Sequence, residues 1–143
     1  MWPSKHCFTL LPLAMRTANH LLLGSFFTVQ HYTHEPDNLR LRVHIDAHHA
    51  LFNGHFPGRP VVPGVCVLAM IKDVLQQHFA KDLLLRTCTS SKFLRPIDPV
   101  LMPDLDLRVH YTRRDFLLDF VASVQHDQQV LCRVAGCFQT DFL

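Results

Sequence analysis

The amino-acid sequence predicts an α+β domain in which one long helix lies against antiparallel strands. Three observations carry this reading. An apolar run from Val65 to Phe79 covers more than one helical stripe, so it must be wrapped by other elements. Ahead of it, residues 39–47 alternate apolar and polar side chains with the period of a strand. After Lys81 and Asp82 the chain returns to strand-like composition as far as Phe138. One helix followed by strands on short connections is the pattern of a layered α+β structure.

A length of 143 residues is that of one domain, so residues 1–143 are read as a single unit. Hydrophobic residues make up 48% and charged residues 18%, enough for a real core and too little charge for disorder. The formal net charge of +2, without a basic cluster or stacking motif, excludes a nucleic-acid reading. Five cysteines without a Cys-x-x-Cys pair argue against a disulfide framework or a zinc site. Reduced thiols in a cytoplasmic protein are expected.

In chain order, residues 1–19 hold Lys5 and an apolar patch. Pro12 interrupts that patch and Arg16 stands where small cleavage-site residues belong, so the fit to a signal peptide is poor. No apolar stretch reaches the ~20 residues of a transmembrane helix. Residues 20–34 read as a first strand, and Glu35-Pro36-Asp37-Asn38 as a turn. Leu39, Leu41, Val43, Ile45 and Ala47 then alternate with Arg40, Arg42, His44 and Asp46, giving one buried and one solvated face. His44, His48, His49 and His55 raise the question of a metal. His44 and His48 share a strand face but lie roughly 13 Å apart at ~3.3 Å per residue, so no local pair chelates and no metal is expected.

A helix is predicted from Pro63 to Phe79, with Pro and Gly at its mouth as helix N-termini favour. Further strands are predicted over residues 83–93, 105–111, 116–124 and 130–138, with connections of hairpin length at 112–115 and 125–128. The pattern admits either a sheet curled around the helix or an ordinary amphipathic helix on an open sheet.

The stretch Gly54-His55-Phe56-Pro57-Gly58-Arg59-Pro60-Val61-Val62-Pro63-Gly64-Val65 places three prolines and three glycines around one histidine. Pro fixes φ and Gly permits what other residues avoid, so the loop is built to hold one shape. This segment resembles the active-site segment of the β-hydroxyacyl-acyl-carrier-protein dehydratases of the FabZ and FabA type. A second block, Ser91-Lys92-Phe93-Leu94-Arg95-Pro96-Ile97, resembles the Lys-Phe-x-x-Pro strand of that family at the matching distance. The wider likeness runs from about Leu10 to Phe138.

The resemblance implies a hotdog fold, a long central helix wrapped by a curved antiparallel sheet. It implies no cofactor, acyl carrier protein as the partner that brings the substrate, and a homodimer or heterodimer of hotdog subunits. His55 is then the base for the Cα proton, since a neutral imidazole titrates near working pH. The N–H of Gly64, at the positive end of a helix, would hold the thioester carbonyl. Phe56, Pro57, Gly58, Pro63 and Val65 would shape the substrate site.

The departure from the family is at residue 69. The resemblance implies a helix carboxylate fourteen positions after the histidine, and this chain has Ala69 there. The nearest carboxylate is Asp73, one turn along the same face, read either as the acid or as a solvated charge beside Lys72. Cys66, near the helix start, is read either as a thiol of lowered pKa or as a small buried side chain. Three functions follow. One is a dehydratase whose acid comes from elsewhere, like the divergent ApeI-like group. One is a thioesterase, which the fold also hosts. The third is a non-catalytic subunit that binds acyl carrier protein or completes a partner's site.

Overall fold

The computed structural model describes residues 21–54 and 58–140. Six strands and one long helix form in the order β1 (Phe27–Glu35), β2 (Asn38–Ile45), α1 (Gly64–Phe79), β3 (Leu84–Phe93), β4 (Asp104–Arg114), β5 (Leu117–His126) and β6 (Gln129–Gln139). A short 3-10 turn, Ala50–Gly54, precedes the loop that leads to α1. The strands make one sheet in the order β1-β2-β4-β5-β6-β3, with every pairing antiparallel.

The alternation read from residues 39–47 has the expected result: Leu39, Leu41, Val43 and Ile45 are buried while Arg40 and His44 face solvent. Their inward side chains continue across the sheet in rows. Leu41 opposes Leu107, which opposes Val124, which opposes Cys132. Leu39, Val109, Ala122 and Val134 make the next row. Cys66, Val67, Met70, Ile71, Val74 and Leu75 of α1 join the same apolar cluster, so helix and sheet share one core. Each such aliphatic side chain removed from water contributes about 1.5–3 kcal/mol.

The first strand is shorter than its composition suggests. Residues 21–26 turn instead of extending, with Gly24 at φ 94° and the amide of Phe26 donating to the Leu22 carbonyl at 2.9 Å. Leu22 and Phe26 are nonetheless buried, which is why this loop has the apolar content of a strand. The hairpins are tighter than predicted. Asp127 and Gln128 both take positive φ, 50° and 66°, as a two-residue turn matching the twist of its strands demands. Two residues also join β4 to β5, with Asp115 at φ 54°.

β3 stands apart from the other strands. Among the described residues it pairs only with β6, and all its residues but Leu85 are exposed. Its register shifts twice, between Leu85 and Thr87 and between Cys88 and Ser90. At the second shift Gly136 lets the strands close: a Cβ there would sit 2.3 Å from the Thr87 carbonyl oxygen. No helix among the described residues is long and apolar enough to cross a membrane.

Candidate active site

α1 begins without a side-chain cap. Pro63 occupies the N-cap position in an extended conformation, φ −65° and ψ 149°, and makes no side-chain hydrogen bond. The first N–H groups of a helix have no partner inside it, so that of Gly64 is available to an acceptor at the helix mouth. Gly64 is also in tight contact with its surroundings. A Cβ at this position would lie 2.8 Å from the Phe93 ring, so glycine lets the ring approach the backbone.

The two sequence blocks meet here. The amide of Val62 donates to the Ile97 carbonyl at 2.9 Å, tying the segment before α1 to the segment after β3. Between residues 61–64 on one side and 93–97 on the other lies a cavity of about 330 Å³. Its walls include Val61, Val62, Phe93 and Leu94, so it is largely apolar, and Gly64 and Arg95 also line it. A concave, mostly apolar space with one cationic side chain is of the kind that takes a small organic ligand.

His55, Phe56 and Pro57 lie outside the described residues. Gly58 is exposed, with φ 84°, a backbone that L side chains rarely adopt. Val65 projects outward from the first turn and is 75% exposed. Cys66 is buried at the helix start, and burial pushes its thiol pKa up. The small-side-chain reading therefore stands and the activated-thiol reading falls. His44 pairs with Asp104 at 2.7 Å, and His49 Nδ1 accepts from the Leu51 amide at 3.0 Å.

Asp73 is not the solvated charge that its place beside Lys72 suggested. It is wholly buried. Its Oδ1 accepts from the amide of Leu21 at 3.0 Å, and its Oδ2 from those of Leu22 at 2.6 Å and Leu23 at 3.0 Å. Nine residues separate it from Gly64, roughly 13 Å along a helix axis. Both carboxylate oxygens face the loop before β1 and hold it onto α1. Sequence reading had no means of finding this, because the three donors lie about fifty positions upstream.

A second polar group escaped the sequence reading. At the C-terminal end of α1, His78 Nδ1 shares a hydrogen bond with the Tyr32 hydroxyl, and Nε2 lies 3.3 Å from the Tyr111 hydroxyl. A neutral imidazole donates through one nitrogen and accepts through the other, so the two tyrosines play opposite roles. Burial first, then His34 and Arg113, push the His78 pKa down to about 4. Its value in the unfolded chain is about 6.5. Between these values the unfolded chain binds the extra proton, so stability falls as pH drops from about 6.5 towards 4. We expect the thermal midpoint to decline through that window, and the decline to shrink in His78→Gln. Identical pH profiles for the two proteins would contradict this.

The description "ApeI dehydratase" of the ApeI-like family matches residues 31–133. The 3-hydroxyacyl-[acyl-carrier-protein] dehydratase FabZ of Novosphingobium aromaticivorans is 30% identical over 110 residues, covering 67% of this chain and 68% of that protein. Among solved structures, the dehydratase heterocomplex ApeI:P from Xenorhabdus doucetiae aligns with a TM-score of 0.64 at 21% identity, over 78% of this chain and 96% of that one. A thioesterase candidate related to phenylacetic acid degradation, from Ralstonia eutropha, aligns with a TM-score of 0.57 at 16% identity, over 79% and 83% of the two chains. The six-stranded antiparallel sheet with its single long helix is the hotdog fold.

Proposed function

The chain belongs to the ApeI-like dehydratase family, and from that premise we propose that it dehydrates β-hydroxyacyl thioesters carried on acyl carrier protein. In this reading His55 takes the Cα proton, and the N–H of Gly64 stabilises the thioester oxygen as enolate character develops. The β-hydroxyl leaves with a proton from an acid, giving the enoyl thioester and water. The observation that carries the proposal is the uncapped start of α1 opening into the cavity between the two sequence blocks.

The acid is supplied from outside this chain's own helix. Ala69 stands where the family resemblance implies a carboxylate, and Asp73 is engaged by three backbone amides. In the family arrangement the histidine of one subunit meets the helix acid of the other. Two copies of this chain would put alanine at both positions, whereas a second kind of hotdog subunit could bring the carboxylate. The exposed edge of β3, with Leu84, Phe93 and the adjacent Leu94 exposed, supports such a partner. The heterocomplex seen for the Xenorhabdus dehydratase supports it by analogy. A cytoplasmic setting belongs to the same reading, and free Cys66 and Cys132, both buried, fit it.

The test is to incubate the purified protein, alone and with a helix-acid hotdog subunit, with a β-hydroxyacyl thioester, and to measure enoyl product and free acid. Enoyl product is expected and is greater with the second subunit. Free acid instead would select the thioesterase reading, which the fold of the Ralstonia neighbour keeps in view. Neither product would leave the non-catalytic subunit. As a companion, Ala69→Glu in the protein alone is expected to raise the dehydration rate, by up to ~10²-fold, the lower end of what an acid or base contributes. An unchanged or lower rate would mean another group already acts as acid and that the added buried carboxylate only costs stability.

A further inference from the structure

We propose that Arg59 and Arg95 form the site that receives the phosphate of the substrate's phosphopantetheine arm. This rests on the proposed dehydration of carrier-borne thioesters. A second cavity, of about 240 Å³, adjoins the one at Gly64 and shares Val61, Arg95 and Pro96 with it. The two differ in chemistry. Arg95 is the one charged side chain among the described residues lining the first, whose other walls are mostly apolar, while the second adds Arg59, Asp98 and His126 beside it.

Among the described residues, the other polar groups of the second cavity leave Arg59 and one edge of Arg95 open. Asp98 contributes one carboxylate, but its Oδ1 accepts from the amides of Val100 at 2.8 Å and Leu101 at 3.3 Å. Gln129, with its amide oxygen turned to Arg95, accepts from Nη2 at 3.0 Å and Nε at 3.1 Å. That fixes one edge of the guanidinium and leaves its Nη1 edge for a ligand. His126 Nδ1 lies 3.7 Å from Asp127. Two guanidinium groups against one occupied carboxylate favour an anion, and a planar guanidinium suits a phosphate.

The short connection between Arg59 and Gly64 lets one extended ligand reach both. Pro60 to Pro63 carry no regular secondary structure and Pro63 is extended, so Arg59 and Gly64 lie at most about 16 Å apart at ~3.3 Å per residue. A phosphate at the arginines and a thioester carbonyl at Gly64 would be joined along that segment. Phosphopantetheine is common to coenzyme A and acyl carrier protein, so the site reads the arm and not its source.

The experiment compares one β-hydroxyacyl group on four carriers: N-acetylcysteamine, which lacks the phosphate, phosphopantetheine, coenzyme A and acyl carrier protein. The readout is kcat/KM on each phosphate-bearing thioester divided by that on the N-acetylcysteamine thioester. This ratio is expected to fall about 10- to 100-fold in Arg59→Gln and in Arg95→Gln, as for a lost charge-assisted hydrogen bond. Arg59→Lys should recover part of it. Equal falls with coenzyme A and acyl carrier protein would place the arginines on the shared arm. A fall confined to acyl carrier protein would overturn the proposal, because the arginines would then read the carrier's surface. An unchanged ratio would overturn it as well. If no thioester is dehydrated, the catalytic reading fails, and titration with phosphopantetheine decides the site. Tighter binding by the native protein than by Arg59→Gln supports it, and equal binding overturns it.

Discussion

Replacing His55 by Ala is expected to lower dehydration by about 10²–10⁴-fold, the usual loss when a general base is removed. In sequence the residue follows a 3-10 turn that ends at Gly54 and precedes Gly58 at φ 84°, and the strands and helix that supply the core are other segments of the chain. The variant should therefore retain its circular dichroism and its unfolding midpoint. Single-turnover formation of enoyl product from saturating thioester would isolate the chemical step. Unchanged turnover would remove the elimination mechanism and put the non-catalytic subunit ahead.

Asp73→Ala should act on stability. The substitution strips acceptors from three amides at once, in a place where Leu22 and Asp73 are both buried. Each buried donor left unsatisfied costs roughly 1–3 kcal/mol, and partial rehydration brings the expected total to about 3–5 kcal/mol. For a domain of this size that is on the order of 10 °C in thermal midpoint. Asp73→Asn should lose less, since it keeps one acceptor oxygen. If Asp73→Asn unfolds at the native midpoint but loses its turnover, the structural assignment is wrong and the carboxylate is the acid after all.

What could be read in advance depended on how far apart the interacting residues lie. Leu39 to Ile45 and Leu105 to Tyr111 announce their strands because alternation is local and each residue's neighbours decide its face. The helix from Gly64 to Phe79 announces itself in the same way. Leu21, Leu22 and Leu23 misled, since a loop that closes over a buried carboxylate is as apolar as a strand. The Tyr32, His78 and Tyr111 group is assembled from residues 46 and 33 positions apart, and no spacing rule connects them. At the site, the two motif blocks were legible and the structure brings them together through Val62 and Ile97. Arg59 and Arg95 each precede a proline, and nothing in those two dipeptides showed that the side chains line one cavity.

The sheet order has a consequence for synthesis on the ribosome. β1 and β2 can pair as soon as both have emerged, and β4, β5 and β6 add as successive hairpins. β3 is made early, yet among the described strands its single neighbour is β6, the last of them in sequence. From Phe93 to Gln139 is 46 residues, about 2–9 s of translation at 5–20 residues per second. Throughout that interval a ten-residue strand waits without its partner, a ready template for pairing with another nascent chain. Its composition suits the delay: Arg86, Thr87, Thr89, Ser90, Ser91 and Lys92 make it polar over most of its length. A strand so written tolerates water until β6 arrives.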